Sequence, residues 1–101
     1  MDKAFLGTEL KYLLNIEASG FSMIEDDFEV ELIGTNGSNI LHKSEFPTDG
    51  GGHYYLCFNT LDYGAGFIDA VITAHVPDQD FSDNYRDEVT KISPLVKVLE
   101  V

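Results

Sequence analysis

Within Phe28-Glu29-Val30-Glu31-Leu32-Ile33, apolar Phe28, Val30 and Leu32 alternate with acidic Glu29 and Glu31. Successive side chains of a strand point to opposite faces, so this pattern fits a sheet with one dry and one wet face. A helix would scatter the same residues around its surface. Phe67-Ile68-Asp69-Ala70-Val71-Ile72-Thr73-Ala74-His75-Val76 repeats the argument at greater length. Ile68, Ala70, Ile72 and Ala74 share one face, and the spacing predicts the longest strand, centrally placed, ended by Pro77.

Glu9–Glu17 supports two patterns. Leu10, Tyr12, Leu14 and Ile16 alternate as in a strand, whereas Leu6, Leu10, Leu13 and Leu14 form a helical stripe. The alternation has more consecutive support, and Ser19-Gly20 closes the element. Asn36-Gly37 predicts a tight turn after the Phe28 strand, followed by a short strand at Asn39–Lys43. The glycines 50–52 predict a loop before a strand at His53–Phe58. That strand faces inward through either Tyr54, Leu56 and Phe58 or Tyr55 and Cys57. Asp62–Gly66 predicts another turn. Asp78–Glu88 reads as a polar loop, and Pro94 confines the last strand to about Leu95–Glu100.

Five to seven short strands with little helical periodicity predict an all-β fold. A small two-sheet β-sandwich, immunoglobulin-like in broad architecture, is favoured over an open barrel. The Cys-Trp-Cys arrangement of antibody-type domains is missing, since Trp is absent and Cys57 stands alone. At 101 residues, one domain spanning 1–101 is expected, with residues 1–8 as a flexible or extended arm. Cys57, inside Tyr55-Leu56-Cys57-Phe58, is expected at or near the core. It excludes an internal disulfide framework.

Eighteen acidic residues against six basic ones give a net charge of −12. The charge is spread over both halves, ten acids to three bases in residues 1–50 and eight to three in 51–101. Such a field repels phosphate backbones and anionic membranes and suits cationic partners. No apolar run reaches the length of a membrane span, and Ala4–Gly7 is too short for a signal-peptide core.

Asp78-Gln79-Asp80-Phe81-Ser82-Asp83-Asn84 is the candidate ion site. Carboxylate and amide oxygens suit calcium, which makes Asp78, Asp80 and Asp83 candidate ligands. The stretch lacks the EF-hand glycine and terminal acid. The alternative is a polar loop anchored by Phe81 and Tyr85, with Arg86 relieving the local repulsion. Asp26-Asp27 offers either backbone capping or an acid pair. Adjacency alone does not give the carboxylate separation that acid/base catalysis needs. His42, His53 and His75 follow no metal-ligand spacing, with or without Cys57. No catalytic residue is expected, and no cofactor beyond the calcium candidate.

Three phrases occur in order: Met23-Ile24-Glu25-Asp26-Asp27-Phe28-Glu29-Val30-Glu31-Leu32, Asp62-Tyr63-Gly64-Ala65-Gly66, and Val76-Pro77-Asp78-Gln79-Asp80-Phe81-Ser82-Asp83-Asn84-Tyr85-Arg86-Asp87-Glu88-Val89. Together, over residues 21–90, the chain resembles small all-β proteins encoded in prophage-like regions of Bacteroides-type gut bacteria. Members often carry a glycine before the arginine; here Asn84-Tyr85 stands there, which leaves the loop shape open. The resemblance implies a non-enzymatic structural or assembly module of a phage tail or baseplate. Its partners would be other phage structural proteins or further copies of itself. It would reside in the host cytoplasm during assembly and then in a phage-like particle. The exposed-aromatic potential of Tyr12, Tyr54, Tyr55, Tyr63 and Tyr85 supports the alternative, a particle-borne or extracellular domain binding carbohydrate or calcium.

Overall fold

A computed structural model describes residues 2–101. Seven strands form two sheets: β1 (Asp2–Phe5), β2 (Glu9–Leu14), β3 (Phe28–Gly34), β4 (Gly37–His42), β5 (Tyr54–Asn59), β6 (Gly66–Pro77) and β7 (Tyr85–Leu99). The larger sheet runs β1-β7-β6-β3-β4, and β2 pairs with β5 in the smaller one. All neighbours are antiparallel except β1, which lies parallel to Val96–Leu99. The arrangement is all-β and broadly sandwich-like. The two sheets share no strand pairing and are not closed into a barrel.

The alternation read in β3 and β6 decides the core. Phe28, Val30 and Leu32 are buried, as are Ile68, Ala70 and Ala74, while Glu29 and Glu31 lie on the opposite face. β6 is the middle strand of the large sheet. Leu14 and Leu56 of the small sheet join the same apolar cluster, closing the layer between the sheets. Fully burying one such aliphatic side chain contributes about 1.5–3 kcal/mol.

Several expectations need correction. The hairpin turn is Thr35-Asn36, one residue earlier than Asn36-Gly37 suggested. Gly34 pairs with Gly37, which opens β4 with φ of +140°. The open question in β5 resolves with Tyr54, Leu56 and Phe58 inward, so Cys57 is exposed rather than near the core. Within residues 1–8, expected as a flexible or extended arm, Asp2–Phe5 are extended as β1 and paired to the C-terminal strand.

The largest departure is β7. It begins at Tyr85 and runs 15 residues, longer than the 12 of β6. Pro94 does not end it, because the register slips there: Asp69 alone lies opposite Ser93, Pro94 and Leu95. An irregularity of this kind is where a sheet tolerates a residue without an N–H. The Ser93 hydroxyl donates to Asp69 Oδ1 at 2.8 Å across the slip.

Candidate functional site

The segments between β2 and β3, β4 and β5, and β6 and β7 come together at one end of the sandwich. Two basic side chains tie them. Lys43, just after β4, donates from Nζ to the carbonyls of Ile24 (2.8 Å) and Asp26 (2.7 Å). Its ammonium also lies over the rings of Phe28 (5.7 Å) and Tyr54 (5.5 Å), within cation–π range. Phe28 stacks on Phe46 and meets Tyr54 edge to face. Arg86, at the start of β7, donates from Nη2 to the Ser19 carbonyl at 3.1 Å. Its Nε reaches Asp78 Oδ2 at 2.9 Å, and Nη1 pairs with Glu88.

The β6–β7 loop is built from local side-chain-to-backbone bonds. The Asp78 N–H donates to the Asn84 carbonyl at 2.8 Å and closes the loop. Asp78 Oδ1 accepts from the Asp80 N–H at 3.0 Å, and Asp83 Oδ1 from the Tyr85 N–H at 3.1 Å. Asp and Asn favour such turns because a short side chain mimics the backbone carbonyl. Asn84 takes φ of +67°, a conformation Asn tolerates better than most residues. Of the candidate calcium ligands, Asp78 is thus held by Arg86 and by the loop, and Asp83 caps the entry to β7. Among the described residues, no group of three or more His, Cys, Asp or Glu side chains has metal-holding proximity.

The histidines stay apart. His53 bonds Asp49 at 2.8 Å. The backbone N–H of Gly51, then the His53 contact, holds the Asp49 carboxyl below its ordinary range. His75 on β6 bonds Asp87 on β7 at 2.7 Å, and Tyr85 stacks on its ring at 4.3 Å. The Asp87 contact raises the His75 pKa above its ordinary value of 6.5, against a smaller desolvation effect. Of the Asp26-Asp27 pair, Asp26 does the capping, accepting from the Ser22 N–H at 2.8 Å.

Phe81 does not anchor its loop: it is 50% exposed, and Ile24 on the neighbouring segment is 64% exposed. Lys43 and Ile24 are the two residues that motif reasoning missed. One signal was present for Lys43, the lone basic residue between Lys11 and Arg86. Ile24 had none, because its exposure depends on how the β2–β3 segment folds back.

Comparison with family models, with curated proteins and with solved structures finds no match for the chain. Among the described residues, no helix is long and apolar enough to cross a membrane.

Proposed function

We propose that this chain is a non-enzymatic protein-assembly module of a phage-derived particle, such as a tail or baseplate, with an immunoglobulin-like architecture. The observation that carries the assembly role is the exposure of Ile24 and Phe81 on adjoining loops that Lys43 and Arg86 tie down. Exposed apolar side chains on pre-ordered loops lose little conformational entropy on docking, so their burial goes further toward affinity.

The architecture fits the role. In immunoglobulin sandwiches of the variable type, strands G, F, C and C′ share one sheet and B and E lie in the other. The order β7-β6-β3-β4 with β2-β5 opposite fits that arrangement when β2 to β7 take the places B, C, C′, E, F and G. The segments after β2 and after β6 then stand where variable domains carry binding loops. The particle context comes from the resemblance over residues 21–90. A net charge of −12 adds that the partner surface is cationic and proteinaceous rather than nucleic acid.

The test is particle composition. Particles induced from a lysogen and banded by density should contain the chain in fixed ratio to tail proteins. Ile24→Asp with Phe81→Asp should remove it from the band while the purified double variant stays folded. Absence of the wild-type chain from the particles overturns the particle assignment. Unchanged incorporation of the double variant overturns these two loops as the contact.

A further inference from the structure

β7 is paired with β6 on both sides of its slip, but only its last part, Val96–Leu99, has a second neighbour, β1. Along Tyr85–Ile92 the outer edge has no backbone partner among the described residues. An unpaired edge of this length is a template for another strand. The inner face above it is open as well. Thr90 and Ile92 stand opposite Ile72 and Ala70, which places them on the core-facing side, yet Ile92 is 40% exposed. The two-strand sheet does not reach over them.

Beyond β2 the chain continues through Asn15–Ala18 without a strand partner. Ile16 and Ala18 therefore face Ile72, Ala74, Thr90 and Ile92 across a groove of about 190 Å³. Glu17 and Glu88 also line it. The groove has the parts that strand addition uses: free backbone groups along one rail and an apolar trough for alternate side chains. β1 already pairs with the continuation of the same edge, at Val96–Leu99.

We infer that this groove receives an extended segment of a different polypeptide, whose inward residues are aliphatic and whose outward residues are lysine or arginine. The inference rests on the assembly role and adds the partner's chemistry and seat. Charge selects the occupant. Eighteen acids against six bases attract a basic strand and repel a second copy of this chain.

The probe is a synthetic peptide alternating valine and lysine, long enough to span Tyr85–Ile92. Calorimetry and amide hydrogen exchange are measured on the full chain. Saturable binding that weakens with salt and slows exchange in β7 ahead of Val96 is expected. Ile92→Lys should weaken binding about tenfold or more, since it removes an aliphatic contact and adds a like charge. The same peptide N-methylated at alternate residues should lose binding with its charge intact, a control that does not depend on any variant folding. The inference is overturned by an absence of saturable binding, by N-methylated or valine–glutamate peptides binding equally well, or by protection appearing at β4 instead. A concentration-dependent dimer that protects the β7 edge also overturns it, in favour of a second copy. Peptide binding by a chain absent from particles would remove only the particle assignment. A particle-borne chain that ignores the peptide would remove only the groove.

Discussion

Arg86 Nε lies 2.9 Å from Asp78 Oδ2 across the mouth of the β6–β7 loop, while Nη2 of the same guanidinium reaches the Ser19 carbonyl. One rigid fork therefore links two loops and, through Glu88, the inner row of β7. Arg86→Ala should speed hydrogen exchange at the amides of Asp80 and Asn84 and leave β3 and β6 amides unchanged. Arg86→Lys should rescue only part of the protection, because a point charge cannot reach both acceptors in the fork's geometry. Equal protection in all three proteins would show that the loop holds itself.

Gly34 closes β3 against Tyr63. A Cβ there would stand 2.6 Å from Tyr63 Cβ and 2.8 Å from its carbonyl oxygen. Tyr63 is buried, and its carbonyl accepts from the Asn36 N–H at 3.0 Å, so it has little freedom to retreat. Gly34→Ala should destabilise the fold by about 1–3 kcal/mol through overpacking. In urea the midpoint should fall with an unchanged slope, since the surface exposed on unfolding is the same. An unchanged midpoint would mean the β3–β4 turn shifts freely away from Tyr63.

The His75–Asp87 pair gives stability a pH dependence of defined sign. Its contact with Asp87 raises the folded pKa of His75 above 6.5, and Asp83 and Asp27 add in the same direction. The contribution is therefore complete below the unfolded pKa and is lost as pH rises through the folded one. Both side chains are substantially exposed, so the effect is small and salt-sensitive. By NMR, His75 should titrate above an ordinary histidine, and Asp87→Asn should return it toward 6.5. A wild-type titration at or below the ordinary value would remove the pair as a source of pH dependence.

Cys57 lies on the exposed face of β5. A thiol-specific reagent should label it fully in the native protein, without denaturant. Cys57→Ser should leave the thermal midpoint nearly unchanged, as expected for a surface position away from the packed core. Labelling that requires denaturant would place the thiol back in the interior.

What could be read from sequence follows from range. β3 and β6 were legible in position and in face because a period of two needs no partner to express itself: Val30 and Ile68 are interior whatever sheet they join. β2 was legible for the same reason, although its alternation runs on to Ile16 after pairing has stopped. The end of the β6–β7 loop was not. Tyr85–Glu88 looks polar, and Pro94 looks like a break, yet the length of β6 carries β7 through both by offering a partner and a slip in register.

The candidate site divides in the same way. The sequence alone marked Asp78–Asn84 as a polar loop, and the backbone bonds that its aspartates accept span only a few residues. It also determined the sign of the surface charge. Only tertiary structure decided that Cys57 faces outward, that Lys43 gathers Ile24 and Asp26, and that Ile92 borders an open groove. Each of these depends on which strands lie opposite, and a two-strand sheet facing a five-strand one leaves inner-face residues uncovered that their own pattern marks as buried.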